Sequence, residues 1–244
     1  RVLFRSKKLI LARDPFGIKP LYYSKKNGIY YFASQVKSLL SIEAVNSNYS
    51  EAGIVSYYLW GNIQEPYTLY KDIKSLKRGS CLTVNSDGNE EIYIYADIKN
   101  TILHSNSLNL KNNDEKQEYL KNIINETVNY HQVSDVPLTI SLSSGIDSNV
   151  ILGSMDDKNK KNCSAITMDF KYKGNKNEVP LAKQSTRINK IPHHIEEISE
   201  NELFSLLENF FNDMDLPTND GLNNYLVSYL AKKNNYKIIV SGVG

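Results

Sequence analysis

The sequence predicts an α/β protein in two parts, an antiparallel sheet domain followed by a doubly wound parallel-sheet domain. Short strand candidates separated by Pro, Gly, Asn and Asp turns dominate residues 1–96. Helices and strands alternate over residues 115–244, which is typical of a parallel sheet covered by helices. The polar, Asn-rich and Ser-rich stretch at residues 97–114 is typical of a linker or a long surface loop. We therefore place the domain boundary there.

The first part consists of short runs of apolar and β-branched residues bounded by turns such as Asp14-Pro15-Phe16-Gly17. The predicted strands are residues 9–12, 21–23, 29–33, 81–84 and 92–95. One helix is predicted at residues 36–40, and a second at residues 51–59 with Ser50 as its N-cap.

The second part begins with a helix at residues 115–131, whose apolar residues recur at three-and-four spacing. Ser199 and Glu202 form a capping box ahead of a later helix. The other predicted elements are a strand at 138–142, a helix at 147–155, a strand at 165–170, a helix at 179–189, a strand at 193–198, helices at 203–211 and 222–233, and a strand at 237–240. In such a sheet, ligands are expected at the carboxyl ends of the strands.

Composition and charge narrow the function classes. The chain has 244 residues, 41% of them hydrophobic, so it can bury a core. A net charge of +2 is too balanced for a protein that binds the phosphate backbone of nucleic acids. The apolar runs are all shorter than the roughly 18 residues that a membrane helix needs, so no membrane partner is expected.

The two cysteines, Cys81 and Cys163, have neither CxxC spacing nor clustered histidines. They predict no disulfide framework and no zinc site, and a reducing cytoplasm is the expected location. The first residue is Arg1, and the chain ends directly after a strand-like run. We therefore expect an internal piece of a longer protein, for which the absence of a signal peptide is uninformative.

The string S-L-S-S-G-I-D-S at residues 141–148 lies between a predicted strand and a predicted helix. Backbone N–H groups without intrahelical partners converge at such a turn and the helix dipole adds positive charge, so the turn suits phosphate or pyrophosphate. The chain has no Walker A string, so hydroxyls and amides would hold the phosphate without a lysine. Asp147 would serve a cation such as Mg²⁺.

A second Ser-Gly pair, Ser241 and Gly242, follows the last predicted strand. Both strings are also compatible with ordinary strand-to-helix turns, in which Ser and Asp cap helices. For the second string the two interpretations are equally good. For the first, the three Ser, one Gly and one acid within residues 142–148 are more than a capping role requires.

Residues 143–148, S-S-G-I-D-S, resemble the S-G-G-x-D-S pattern of the pyrophosphate loop of N-type ATP pyrophosphatases. Residues 13–23, R-D-P-F-G-I-K-P-L-Y-Y, followed by F-A-S at 32–34, resemble the later part of a class II glutamine amidotransferase domain. Residues 215–228, beginning D-L-P-T-N-D-G, and residues 240–244, V-S-G-V-G, resemble the synthetase domain of glutamine-hydrolysing asparagine synthetases. The resemblance covers nearly the whole chain in the family's order.

The resemblance implies a partial class II amidotransferase domain followed by a partial adenine nucleotide alpha hydrolase-like domain. In such enzymes one domain hydrolyses glutamine to ammonia. The other uses ATP to convert the aspartate side chain into an acyl adenylate, from which ammonia displaces AMP to give asparagine. Mg²⁺ and oriented donors stabilise the charge that moves onto pyrophosphate. The implied ligands are ATP, Mg²⁺, aspartate and glutamine or ammonia, and a homodimer is left open.

The resemblance also implies roles for single residues. The ATP-binding set would be Leu142, Ser143, Ser144, Gly145, Asp147, Ser148, Met168, Ser241 and Gly242. Asp147 would hold the metal, Leu142 and Met168 would flank the adenine and ribose, and Asp215 and Asp220 are candidate substrate-binding residues. A plain core role for Met168 and turn-forming roles for Asp215 and Asp220 explain these residues equally well.

Other residues are expected to be structural. Arg13 and Asp14 are expected to fix a turn at a sheet edge rather than touch substrate. His193 and His194 lie on a predicted strand without a third ligand nearby, so we expect structural histidines.

The sequence departs from the family pattern in several places. In the family, the amidotransferase nucleophile is an N-terminal cysteine, whereas the first residue here is Arg1. The catalytic residues are therefore unknown, and this piece is not expected to hydrolyse glutamine. Ser144 stands where the pattern has Gly, and a positive φ there would cost about 1–2 kcal/mol. Val243 stands where some members carry a glutamate, and Gln35 replaces an acid. Two alternatives stay open: an enzyme that amidates another carboxylate, and a catalytically silent nucleotide-binding piece.

Overall fold

The computed structural model describes residues 2–5, 7–104, 110–169 and 178–242, with residues 2–5 described by their backbone alone. The described residues form two compact units. The first is drawn from residues 1–107 and 213–221, and the second from residues 108–212 and 222–244. The predicted second domain is continuous from residue 115 to 244, whereas the second unit omits the short segment at 213–221.

Two antiparallel sheets form the first unit. Their strands are β1 (Val2–Arg5), β2 (Lys8–Ala12), β3 (Tyr22–Lys26), β4 (Ile29–Ala33), β5 (Lys74–Ser75), β6 (Ser80–Val84) and β7 (Glu90–Ile94). One sheet has the order β1-β2-β6-β7, and the other has the order β4-β3-β5. The helices of its described residues are α1 (Val36–Leu40), α2 (Glu51–Trp60) and α3 (Ile98–His104).

The two sheets of the first unit share an apolar core. Leu11 of β2 lies opposite Leu82 of β6, and both side chains are fully buried. Leu21 and Tyr23, at the start of the second sheet, pack into the same cluster. Alternate residues of each strand point to one face, so the aliphatic residues of both sheets meet there.

A parallel sheet with flanking helices forms the second unit. Its elements are α4 (Asn113–His131), β8 (Leu138–Ser141), α5 (Ile146–Ser154), α6 (Asp157–Lys161), β9 (Cys163–Asp169), α7 (Val179–Asn189), β10 (His193–Glu197), α8 (Glu200–Asp213), α9 (Gly221–Lys233) and β11 (Ile238–Val240). The strand order is β10-β9-β8-β11, with every pair parallel. Among the described helices of both units, none is long and apolar enough to cross a membrane.

Helices cover both faces of the parallel sheet. Ala165 of β9 packs in a cluster with Leu152 of α5, on one face. The next residue, Ile166, packs on the other face with Leu206 of α8 and Leu230 of α9. Because successive strand residues point to opposite faces, nearly all residues of the central strands β8 and β9 are buried. The predicted α/β fold class is confirmed.

The predicted elements are present, and most of their ends shift by one to three residues. Helices α1 and α7 begin and end at the predicted residues. The Ser50 hydroxyl accepts a hydrogen bond from the Gly53 N–H at 3.1 Å, which confirms the N-cap of α2. The Ser199 hydroxyl accepts from the Glu202 N–H at 3.2 Å, as the capping box predicts.

Four described elements were not predicted from the sequence: β1, β5, α3 and α6. Strand β5 has two residues, too few to show an alternating pattern. Helix α3 lies inside the stretch at 97–114 that was expected to be a linker or loop, and none of its residues is buried. The Asn-rich and Ser-rich stretch in which it lies predicted a loop instead.

The segment at residues 213–221 packs with the first unit through specific contacts. The Asp215 carboxylate accepts hydrogen bonds from the N–H groups of Val36, at 2.7 Å, and Lys37, at 2.9 Å. These N–H groups open helix α1, whose own N-cap residue, Gln35, makes no side-chain cap. Leu216 packs against the buried cluster around Val36. The segment therefore supplies a helix cap and a core side chain to the first unit.

Candidate functional site

The candidate site lies where β8 and β11 end, side by side. The two strands are parallel, and Val240 of β11 lies opposite Ile140 of β8. The chain leaving β8 enters the loop at Ser143, and the chain leaving β11 enters Ser241 and Gly242. The two predicted strings therefore meet at one edge of the sheet, as the parallel topology requires.

Helix α5 begins directly after this loop. Its N-cap is Gly145, which has no side chain to bind the N–H groups of the first turn. The N–H groups of Ile146, Asp147 and Ser148 have no intrahelical acceptor. Ile146 is 80% exposed, and Asp147 is exposed beside it. The loop thus presents a positively polarised helix end at the surface of the second unit.

Side chains of the loop itself fix its shape. The Ser143 N–H donates to the Ser148 hydroxyl at 3.2 Å, and the two hydroxyls lie 3.1 Å apart. The Gly145 N–H donates to the Ser143 hydroxyl at 3.0 Å. The Asn149 side-chain amide donates to the carbonyls of Ser143, at 3.1 Å, and Gly145, at 2.7 Å. The loop is therefore held in one shape by its own side chains.

Ser144 lies on the exposed side of the loop. Its backbone φ lies outside the left-handed region, so replacing the pattern's Gly by Ser carries no φ penalty. Its hydroxyl donates to the carboxylate of Glu178, at 3.3 Å. Glu178 precedes helix α7 and was not predicted to be part of the site.

Gly242 touches the loop closely. A Cβ added to Gly242 would lie 2.9 Å from the Asp147 Cβ and 3.0 Å from the Ser148 nitrogen. These separations are shorter than ordinary carbon contacts of about 3.5–4.0 Å. Only a residue without a side chain fits here, so the second Ser-Gly string packs directly on the start of α5. Ser241, the residue before it, is exposed.

The two residues predicted to flank the adenine and ribose lie in different surroundings. The Leu142 side chain is 2% exposed and belongs to the core on one face of the sheet. Met168, near the end of β9, is partly buried and packs against the cluster on the other face. Both residues make the contacts of ordinary core residues. A nucleotide-binding role for them stays a prediction.

A buried polar chain supports the residue before the loop. The Thr167 hydroxyl donates to the Leu142 carbonyl at 2.8 Å and lies 2.8 Å from Nε2 of His193. Nδ1 of the same imidazole lies 3.3 Å from the Thr186 hydroxyl. Burial lowers the pKa of His193, and the positive charges of Lys183 and His194 add to this effect. Both ring nitrogens of His193 have partners, as expected for a structural histidine.

Asp147 is the acidic residue of the loop, and its side chain is exposed. Among the residues that the structure describes, no group of three or more His, Cys, Asp or Glu side chains is placed to hold a metal ion. Magnesium is commonly bound by one or two carboxylates together with substrate phosphates and water. An exposed carboxylate beside the first-turn N–H groups fits that mode. A role for Asp147 in holding the ion stays a prediction.

Asp215 and Asp220, the candidate substrate-binding residues, lie in the segment that packs with the first unit. Both carboxylate oxygens of Asp215 accept N–H groups of α1. Asp220 is exposed, and its N–H donates to the Thr218 hydroxyl at 3.4 Å. Asp215 thus has a structural role in α1 that sequence reasoning missed, and a role in substrate binding stays a prediction for both.

In the first unit, Arg13 and Asp14 hold the motif turn. The Arg13 guanidinium donates to the carbonyls of Gly17, Lys19 and Leu76 and pairs with Glu65 at 2.6 Å. Burial raises the pKa of the Asp14 carboxyl. Hydrogen bonds from the backbone N–H groups of the turn outweigh that effect and lower the pKa below its usual value. The expected turn-fixing role is confirmed, and a cavity of about 600 Å³ lies beside these residues.

The two cysteines are free thiols in strands. Cys163, at the start of β9, is buried, and burial raises the pKa of its thiol to about 11. Such a thiol carries almost no thiolate near neutral pH and is a poor nucleophile. Cys81 in β6 is partly exposed.

Comparisons with known proteins agree with the sequence resemblance. Residues 119–244 match the family model for asparagine synthase, and residues 4–99 match the model for a glutamine amidotransferase domain. The chain is 30% identical over 236 residues to an asparagine synthetase [glutamine-hydrolyzing] of Bacillus subtilis, covering 96% of this chain and 36% of that protein. It is 27% identical over 255 residues to a putative asparagine synthetase of Methanocaldococcus jannaschii, covering 99% of this chain and 47% of that protein.

The chain therefore spans about a third to a half of the length of these curated relatives, at 36% and 47%. Among solved structures, the chain is similar to an NH3-dependent NAD synthetase from Campylobacter jejuni. That likeness has 22% identity and a TM-score of 0.32, covering 51% of this chain and 52% of that one. The asparagine synthase family model matches residues 119–244, which are more than half of this chain, so the chain belongs to the asparagine synthase family.

Proposed function

We propose that this chain is the nucleotide-binding part of an ATP-dependent, AMP-forming asparagine synthetase that uses glutamine as its nitrogen source. The proposal rests on family membership and on one structural observation. The loop at residues 143–148 joins a parallel strand to a helix whose first-turn N–H groups are uncapped. A pyrophosphate group is the ligand that such a loop suits best.

Different groups of the loop have different roles in this proposal. The N–H groups of Ile146, Asp147 and Ser148 bind the oxygens of the pyrophosphate portion of ATP. The hydroxyl contacts between Ser143 and Ser148 hold the loop, so the donors are in place before the nucleotide arrives. The Asp147 carboxylate would hold Mg²⁺, which would offset the repulsion between the carboxylate and phosphate. Negative charge moves onto pyrophosphate as it leaves, and these groups stabilise that charge.

The reaction follows from the chemistry of a carboxylate. The aspartate side chain attacks the α-phosphate, the bond to pyrophosphate breaks, and an acyl adenylate forms. Ammonia then adds to the activated carbonyl, AMP leaves with the bonding electron pair, and a proton is lost to give the amide. The loop acts on the first step, since it holds the group that departs there.

The experiment measures pyrophosphate release from ATP by the purified protein, with and without aspartate. We expect release only when aspartate is present, and loss of release in Asp147→Ala. The control is Asp157→Ala, which removes an exposed acid from the first turn of another helix, α6, and should leave release unchanged. Equal activity in all three proteins would refute the role of the loop.

The acceptor is tested in the same assay. Aspartate is replaced by other carboxylates, including sugar acids and amino acids that can close to a lactam. Release that depends on one of these, and not on aspartate, would assign the chain to a related amidotransferase. Release without any acceptor would defeat the ligase assignment.

The nitrogen source is tested by product analysis. Glutamine labelled with ¹⁵N in the side chain is supplied in place of ammonium, and the product is examined by mass spectrometry. In the full-length protein we expect transfer of label to the product, and a product without label would defeat glutamine use. The proposal also includes a cytoplasmic location and a homodimeric assembly, which cell fractionation and light scattering test directly.

A further inference from the structure

Glu178 and Ser144 form a link between the candidate loop and helix α7. The Ser144 hydroxyl donates to the Glu178 carboxylate at 3.3 Å, across 34 residues of sequence. Ser144 occupies the position at which the S-G-G-x-D-S pattern has a Gly, which offers no hydroxyl. The link therefore depends on the residue by which this chain departs from that pattern.

The position of Glu178 is set by the core rather than by the link. Its carbonyl accepts the Ala182 N–H at 3.1 Å in the first turn of α7. Val179 is buried beside it, and Ala182 is fully buried in the cluster that also contains Leu152 of α5. Helices α5 and α7 are thus anchored in one core. The carboxylate is presented to the loop by a fixed backbone.

A single hydroxyl proton creates a competition at Ser144. While Ser144 donates to Glu178, its lone pairs face any phosphate that enters the loop, and two acceptors repel each other. If Ser144 donates to the phosphate instead, the carboxylate loses this donor and lies close to a second negative group. In both arrangements the Glu178 carboxylate opposes a phosphate without a cation.

We propose that Glu178, acting through Ser144, makes the loop select the magnesium-bound form of the triphosphate over the metal-free form. This inference rests on the proposed function, because it requires that the loop binds the phosphates of ATP. A cation beside the phosphates offsets the repulsion by Glu178, as it offsets that by Asp147. Glu178 is a positioning residue in this proposal, since it acts on the phosphate through the loop hydroxyl.

The test compares the dissociation constant of ATP in excess Mg²⁺ with that in excess EDTA, by calorimetry on the purified protein without an acceptor. In Glu178→Gln we expect metal-free ATP to bind about three- to tenfold tighter, while Mg-ATP changes less than about twofold. Glu178→Asp keeps the charge and should keep the wild-type preference. Glu208→Gln, an exposed change of equal charge on α8, is the control and should leave the preference unchanged.

A second pair of variants tests the path through Ser144. Ser144→Gly restores the pattern residue and removes the link. In the Ser144→Gly background, Glu178→Gln should change metal-free binding less than it does in the wild type, because coupled residues are not additive. Full additivity would show that the carboxylate does not act through the hydroxyl, which overturns the inference.

The outcomes separate this inference from the proposed function. A wild-type protein that binds neither form of ATP defeats the proposed function at the loop. A wild-type protein that binds ATP, with the same metal preference in Glu178→Gln as in Glu208→Gln, defeats only the further inference. Equal weakening of both forms in Glu178→Gln would indicate a purely structural role and also defeats it. Circular dichroism of each variant confirms that it is folded.

Discussion

Replacing Gly242 with Ala tests whether the end of β11 rests on the pyrophosphate loop. The added Cβ would lie 2.9 Å from the Asp147 Cβ, 3.0 Å from the Ser148 nitrogen and 3.1 Å from the Asp147 carbonyl carbon. Reaching ordinary contact distances of about 3.5 Å requires a shift of roughly 0.6 Å. The neighbours are backbone and Cβ atoms, which cannot rotate away, so the loop itself must move.

The expected losses follow from that shift. Forcing one extra carbon into a packed site costs about 1–3 kcal/mol of folding stability. Displacing reaction groups by about 1 Å lowers rates by up to about 100-fold. We therefore expect the kcat/KM of aspartate-dependent pyrophosphate release to fall by about 10- to 100-fold in Gly242→Ala. Chemical denaturation measures the stability change, and a pyrophosphate-coupled assay measures the rate.

Gly153→Ala is the matched control for this change. Gly153 lies in α5, and a Cβ added there meets no atom within 4 Å. Alanine favours the helical backbone over glycine by about 0.5–1 kcal/mol, so the control should keep full activity and gain slightly in stability. If Gly242→Ala behaves like Gly153→Ala in both assays, the contact between β11 and the loop does not exist in the protein.

Three further changes test the structural groups around the site. Arg13→Lys removes the planar fork that binds three carbonyls and the carboxylate of Glu65, and should cost about 2–4 kcal/mol of unfolding free energy in chemical denaturation. Asp215→Ala removes the cap of α1 and should lower the free energy of unfolding by about 1–2 kcal/mol. The stability of Asp215→Asn should lie between those of the wild type and Asp215→Ala. A rise in the KM for aspartate in Asp215→Asn, at full folding, would support the predicted substrate role. Burial lowers the folded-state pKa of His193, so its contribution to stability is complete above about pH 6.5 and is lost as pH falls through the folded value. The unfolding free energy of the wild type should therefore fall relative to His193→Gln between about pH 7 and pH 5, and parallel curves would refute this.

Local patterns predicted most of the fold. Helix α7 begins at Val179, with Pro180 in its first turn, and its apolar residues recur at helical spacing, so both ends were visible in the sequence. Strands β8, β9 and β11 are short and mostly apolar or β-branched, which made them visible in the sequence. Two of the missed elements are short. Strand β5 has two residues, too few to show a pattern, and α3 is a seven-residue helix that buries no side chain.

The site was predicted in part, for a similar reason. Ser143, Asp147 and Ser148 lie in one string whose residue types suit an anion at a helix end. Glu178 could not be predicted, because its contact with Ser144 depends on how α5 and α7 pack. Asp215 was predicted on a turn, but its partner in α1 is 179 residues away in sequence, and no local signal reports such a contact.

The cap of α1 also constrains how the polypeptide is synthesised and dissected. The ribosome makes Val36 long before Asp215, since 179 residues separate them. The N-terminus of α1 therefore cannot be capped by Asp215 until most of the described chain has been synthesised. A protein chemist who cuts once near residue 108 recovers a first half that lacks Asp215 and Leu216. Recovering it intact requires supplying residues 213–221 as a separate peptide, whose rebinding would report directly on this complementation.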